Sequence, residues 1–381
     1  MKKILSFVFV LVMVFAISAC SQPAATDAPV ADATEAESGA EVEAGEPAAE
    51  PLSMVYFCMN LGDLSFNDSG WQGVQDAAAK YGWEADVIEL GNDTSTYENA
   101  FADAVDSGKY DIVVTQSNYG LSDLAQTYAP QYPDIKFIAF DMGASAEIAA
   151  DNMFGIAYKQ NEGSFLVGAL AGKLTQTNKI GVFIFNDVPV GNDFLTGYIA
   201  GVRYSNPDAE VTVAYGGGTA DAAKLQEISS AMFDSGVDVI YGVSGSAYPG
   251  LAKEATSRGG FEAGVYAIGV DTDMWTVYNA SENAEYADVI ITSMLKNVGD
   301  SVVFAIDHYM AGTLPWGTVM PMGIIEGAVG VADNSHYRSE TPADVLDYMD
   351  ALQEQVVSGE VEVPSYFDFA DYDAFAAWRD Q

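Results

Sequence analysis

Cysteine and histidine are nearly absent from this chain of 381 residues, with Cys20, Cys58, His308 and His336 making up both sets. Two cysteines allow no disulfide framework, and Cys58, inside an apolar run, reads as a buried small hydrophobe rather than a reactive thiol. The two histidines fall on a predicted helix and in a polar loop, which argues against a histidine-based triad or a zinc site. Positive charge is scarce too. From Pro51 onwards 47 acidic residues stand against 13 basic ones, so the surface repels nucleic acid and phosphorylated ligands. A partner is expected to be neutral or cationic, or to meet a local positive charge. Catalytic signatures are missing as well. G-V-S-G-S at Gly242 has the wrong register for a nucleophile elbow. G-A-L-A-G-K at Gly168 is one residue short of a phosphate loop, lacks Ser or Thr after Lys173, and sits in an apolar helix. Asp141 and Asp271 could serve acid–base work, but the expectation is a binding protein, not an enzyme, with no cofactor and no metal.

What is present begins with Lys2 and Lys3, followed by an apolar stretch from Ile4 to Ile17 and the ending I-S-A-C at Cys20. The stretch is too short to remain as a membrane span. A small-small-Cys ending resembles the bacterial lipoprotein signal, so residues 1–19 are expected to be removed and Cys20 to carry lipid on the extracytoplasmic face of a cell membrane. Residues 21–50 hold eight acidic residues with no basic or aromatic one. That composition reads, with Cys20, as a lipidated, disordered acidic tether over 20–50.

Beyond it, β-rich runs alternate with helical patterns. Strands are expected near 52–59, 84–90, 110–115, 136–140 and 152–157. After a helix at 161–174 the rhythm restarts with 179–185, 210–215, 238–243, 265–270 and 288–293. Apolar strands separated by helices mean parallel sheets covered on both faces. D-S-G-K-Y-D-I-V-V at Asp106 and D-S-G-V-D-V-I at Asp234 each end a helix with glycine and enter a strand. With the repeated rhythm they predict two similar α/β lobes.

In such sheets ligands sit outside the carboxyl ends of the strands. The exits give Asp63, Ser65, Phe66 and Asn67, then Gln116 to Tyr119, then Asp141. In the second series they give Asn186 and Phe194, then Ser244 and Gly245, then Asp271, and finally Lys296. If the lobes face each other, these residues line one cleft. The residues alone leave core roles open for the two phenyls, a capping role for Asp271, and a solvated helix position for Lys296.

Six ordered motifs carry a family likeness: D-x-S-F-N-x-x-x-W-x-G from Asp63, Q-N-E-G-S-F-L-V-G from Gln160, F-x-x-G-Y-x-A-G from Phe194, D-S-G-V-D-V-I from Asp234, I-G-V-D-x-D from Ile268 and T-S-M-x-K from Thr292. Together they resemble the basic membrane protein family of lipoproteins, whose members are similar to purine nucleoside receptor A. The resemblance implies a periplasmic-binding-protein type I fold, with two Rossmann-like lobes joined by three crossings and closing on a purine nucleoside for an ABC permease. The lobes are expected at 51–157 plus 294–320 and at 158–293 plus 321–364, with 365–381 an acidic-aromatic extension of no assignable role. By motif, Phe66 and Phe194 would clamp the purine, Asn67 and Asp141 would read its edge, and Asp271 and Lys296 would hold the ribose hydroxyls. Gly245 would give a backbone contact, Asp63 belongs to the family pocket, and Asn118 or Tyr119 in Q-S-N-Y-G alters the edge contacts. Asp68, standing where Gln is frequent, would add negative charge beside the base. Other small polar ligands, nucleoside hydrolysis and adhesion stay open as alternatives.

Overall fold

The computed structural model describes residues 51–381, so the expected signal peptide, the lipid-bearing Cys20 and the acidic tether lie outside the described residues. Among the described residues, twelve strands form two six-stranded sheets. The first series runs β1 (Ser53–Cys58), α1 (Phe66–Tyr81), β2 (Glu84–Glu89), α2 (Tyr97–Asp106), β3 (Ile112–Gln116), α3 (Leu121–Tyr128), β4 (Lys136–Phe140) and β5 (Met153–Tyr158). The second opens with α4 (Gln160–Leu174), β6 (Lys179–Ile184), α5 (Pro189–Ser205), β7 (Glu210–Tyr215) and α6 (Ala222–Asp234). It continues with β8 (Val239–Val243), α7 (Pro249–Ser257), β9 (Tyr266–Asp271), α8 (Met274–Asn279) and β10 (Ile290–Lys296). The chain returns through α9 (Val298–Met310), β11 (Val319–Met322), β12 (Val329–Val331), α10 (Ser335–Glu340), α11 (Ala343–Ser358) and α12 (Tyr372–Arg379).

The sheets share one topology, with orders β11-β5-β4-β3-β1-β2 and β12-β10-β9-β8-β6-β7. β6 stands where β1 stands, β8 where β3 stands, and β9 where β4 stands. The two D-S-G turns prove to be counterparts: α2 and α6 end at Asp106 and Asp234, and Gly108 (φ 64°) and Gly236 (φ 95°) take the left-handed conformation before β3 and β8. Central strands such as β3 and β8 are buried at every residue, which is why they read as unbroken apolar runs. All ten expected strands form. β11 and β12 were not foreseen because they are short edge strands, one carrying Pro321 and the other reading V-G-V, and neither offers an apolar run. β12 also pairs antiparallel on β10, unlike its counterpart β11, which pairs parallel on β5. His336, expected in a loop, lies in α10, stacked 5.1 Å from Trp275.

The chain passes between sheets at 158–160, at 296–298 and at 322–329. β10 stays in the second sheet to Lys296, and β11 carries the first sheet to Met322, each a few residues beyond the expected boundary. Two helix seams hold the layers. α4 is buried almost all round, only Glu162 and Lys173 escaping, and it meets α5 backbone to backbone. A Cβ on Gly197 would lie 2.1 Å from the Asn161 carbonyl oxygen, and one on Gly201 2.0 Å from that of Phe165. The motifs from Gln160 and from Phe194 are therefore the two sides of one packing seam. The second seam sets α9 against α1 and returns the chain to the first lobe, with the Lys80–Asp307 ion pair at 2.7 Å on its rim.

Candidate functional site

In both sheets the strand order reverses beside β1 and β6, and loops leaving the carboxyl ends there open a crevice. The crevices of the two lobes meet in one cavity of about 580 Å³, within the usual range for a small-molecule site. Asp63, Phe66, Asn67, Asp141, Phe194, Gly245, Asp271 and Lys296 all line it. Asn118 opens a short 3-10 turn, and its side chain lies outside the described residues.

The first-lobe wall is built by two carboxylates. Asp63 accepts hydrogen bonds from the backbone N–H groups of Ser65 (3.0 Å), Asn67 (2.9 Å) and Asp68 (3.1 Å), and from Asn67 Nδ2 (2.9 Å). It thereby caps the first turn of α1, a contribution of about 1 kcal/mol or more. Burial raises the Asp63 carboxyl pKa, and the three backbone donors pull it back. Asp68 accepts from the N–H groups of Gly62 (2.7 Å) and Leu64 (2.8 Å). This corrects the expectation for Asp68: the carboxylate braces the loop in which Leu64 sits at φ 53°, and it is not in the cavity wall. Asn67 does face the cavity, yet its amide also donates to Asp63 and accepts from Gln116 Nε2 at 3.1 Å. One N–H and one lone pair remain for a ligand.

Because Asp63 caps the helix, the Ser65 hydroxyl is released for another partner. It crosses the cleft and donates to Asp271 Oδ2 at 2.9 Å, while Thr272 Oγ1 donates to the Leu64 carbonyl at 3.1 Å. The lobes are therefore closed. The helix cap beside this point is Asp273, whose side chain accepts from Thr276 N, so the capping role left open for Asp271 falls to its neighbour. Burial pushes the Asp271 carboxyl up to about 6, against the pull of the Lys296 ammonium and the Ser65 hydroxyl.

Lys296, at the end of β10, is 2% exposed and forms an ion pair with Asp141 of the first lobe. Its ammonium lies 4.9 Å from the ring centroid of Tyr158, 5.2 Å from that of Phe194 and 5.4 Å from that of Phe66. One buried cation thus joins the two phenyls, which come from opposite lobes. Phe66 is held edge-on by Phe140 at 5.4 Å. Asp141 (φ 64°) and Asp271 (φ 66°) are both left-handed and stand at the ends of counterpart strands, Asp141 just after β4 and Asp271 as the last residue of β9. Aspartate tolerates this conformation better than most side chains, and strained exits of this kind gather at binding sites. Across from them, a Cβ on Gly245 would come within 3.8 Å of Asp63 Oδ2. Among the described residues no group of three or more His, Cys, Asp or Glu is placed to hold a metal ion.

The family described as ABC transporter substrate-binding protein, PnrA-like, matches residues 52–366 of this sequence. The chain belongs to that family. Among curated relatives, a CD4+ T-cell-stimulating antigen of Listeria monocytogenes is 32% identical over 325 residues, covering 82% of this chain and 87% of its own. The ABC transporter nucleoside-binding protein BmpA of Lactococcus lactis is 28% identical over 317 residues, covering 80% and 86%. Among solved structures, an ABC transporter solute-binding protein from Aeropyrum pernix superposes with a TM-score of 0.72 at 23% identity, over 86% of this chain and 96% of that one. That likeness concerns the fold, the type I periplasmic-binding arrangement. Among the described residues no helix is long and apolar enough to cross a membrane.

In this PnrA-like chain the cavity also takes Asn92 and Thr219. They follow β2 and β7, two strands that the sequence marks clearly but whose exits are not among the positions expected from it. Gln116 and Asn186 stand at the strand exits expected from the sequence, and they line the cavity too. The signal for all four was the strand-exit rule itself.

Proposed function

We propose that the protein binds purine nucleosides in the inter-lobe cavity and delivers them to an ABC permease, anchored to the membrane by lipid on Cys20. The observation that carries this reading is the pair of phenyls, Phe66 and Phe194, brought from opposite lobes to one buried cation and one cavity. Flat faces suit a base, and stacking on aromatic rings contributes roughly 1 to 3 kcal/mol per base. Asp271, already accepting from Ser65 on one oxygen, keeps its other oxygen for a ribose hydroxyl, with Lys296 supplying the balancing charge. Asn67 offers its remaining amide N–H and lone pair to the base edge. The Lactococcus relative, a nucleoside-binding protein by name, agrees with this chemistry.

Mass spectrometry of ligand released from the purified protein tests the reading. A purine nucleoside, recovered intact after prolonged incubation, is the expected result. Free base accumulating with time would instead make the protein a hydrolase, and a sugar as the bound ligand would remove the reason for two rings. For the anchor, Cys20→Ser is expected to move the protein from the membrane fraction to the soluble one. Membrane retention in that variant would contradict lipidation at this site.

A further inference from the structure

The match to the family ends at residue 366, yet the chain beyond it is built into the second lobe. Ser365 opens a 3-10 turn over Tyr366–Asp368, α12 follows, and Phe375 on α12 is fully buried. This strap lies along α5. Tyr372 OH donates to Asp187 Oδ2 at 2.7 Å. Arg203, in the last turn of α5, donates to the carbonyls of Trp378 (3.0 Å) and Arg379 (2.8 Å), with its guanidinium 4.9 Å from the Trp378 ring.

The strap's other end reaches Asp193, the residue before Phe194. Asp193 is 1% exposed. Its Oδ1 accepts from Ser365 Oγ at 2.6 Å and from the Tyr366 N–H at 2.9 Å, and its Oδ2 accepts from Gln160 Nε2 at 2.5 Å. Gln160 opens α4 two residues after Tyr158, where the chain has just left the first lobe. One carboxylate therefore ties together the first crossing, the helix carrying the second ring and the C-terminal strap.

We propose that residues 365–379 are a working part of the ligand clamp: by gripping Asp193 they fix the turn of α5 that aims Phe194 into the cavity. The physical reason is the cost of a buried carboxylate. Stripped of its two strap donors, Asp193 keeps a single hydrogen bond and gains by turning toward water. Neighbouring residues on a helix lie about 100° apart, so a turn that exposes Asp193 swings the Phe194 ring out of line. Asp193 and Ser365 are positioning residues, since neither lies in the cavity wall. The proposal rests on the nucleoside reading above.

The test is a double-mutant cycle in the full chain, read as inosine affinity. Ser365→Ala is expected to weaken binding about three- to tenfold, with the thermal midpoint of the unliganded protein little changed, and Ser365→Thr to restore it. In a Phe194→Leu background, which keeps an apolar side chain in the clamp, Ser365→Ala is expected to cost less than about twofold, because the ring it positions is gone. An equal loss in both backgrounds, or no loss in the first, overturns the proposal. Truncation after Pro364 uncovers the apolar surface around Phe375 and risks unfolding, so the single hydroxyl is the deciding variant. Failure of the unsubstituted protein to bind any purine nucleoside would overturn the ligand reading, and the strap proposal with it. It is told apart by the first titration, before any substitution is made.

Discussion

The two walls of the cleft are made from counterpart strands yet are stiffened differently. The first-lobe wall braces itself: Asp63 and Asp68 between them accept five backbone N–H groups of their own loop, so Phe66 sits on a capped, closed turn. Among the described residues, the loop that leads into Phe194's helix has no such brace: Asp187 there accepts from a side-chain amide, Asn192 Nδ2, and from Tyr372 OH. Phe194 rides a longer helix and takes its support from outside, through the glycine seam with α4 and the C-terminal strap. Where a loop carries its own acceptors the ring is fixed locally. Where it does not, distant chain is recruited.

Four expected outcomes probe this contrast. The largest concerns the joint between the walls, the buried Lys296–Asp141 pair. Lys296→Met leaves Asp141 as an uncompensated buried charge and should lower stability by roughly 3–5 kcal/mol in a denaturant titration. The double variant Lys296→Met/Asp141→Asn should recover most of that loss. Next come the rings. Phe66→Ala and Phe194→Ala should each weaken nucleoside binding by about tenfold or more, some 1.4 kcal/mol or above, and near-normal affinity in both would put the site elsewhere.

A smaller effect is set by pH. Burial pushes the carboxyls of Asp271 and Asp193 up to about 6, above the ordinary value of about 3.9. Their ionised forms are disfavoured in the fold, so their contribution makes the unliganded protein more stable as pH falls from about 7 toward 5. Ligand hydroxyls donated to Asp271 favour its ionised form, so affinity should run the other way, falling as pH drops through about 6 by at most about tenfold per unit. A flat affinity profile between pH 5 and 7.5 would argue against Asp271 as the hydroxyl acceptor. The smallest effect is Asp68→Asn, which weakens the loop brace by about 1 kcal/mol and should leave the order of guanosine, inosine and adenosine unchanged. A reordering would return Asp68 to the base site.

Much of this molecule is legible in its sequence because parallel strands buried on both faces announce themselves as apolar runs, and their exits locate the cleft. Phe66, Phe194, Asp141 and Asp271 were all found in that way. Asp68 was misjudged because a motif gives a residue's neighbourhood but not the direction of its carboxylate, which turned toward the N–H groups of Gly62 and Leu64. The strap was unreadable for a different reason. S-Y-F-D-F-A-D-Y-D-A-F-A-A-W carries aromatics at helical spacing, but its partner, Asp193, lies 172 residues away in sequence from Ser365, and no local pattern records such a contact. β11 and β12 hid because edge strands of three or four residues leave no period to count.

A clamp of two phenyls from opposite lobes needs a flat base to close on. Calorimetric titration of the purified protein with guanosine, inosine, adenosine and ribose decides it. At least one purine nucleoside should bind, with ribose weaker by about tenfold or more for want of a base to stack. Ribose bound as tightly as any nucleoside, or no nucleoside bound at all, would contradict a clamp made by Phe66 and Phe194.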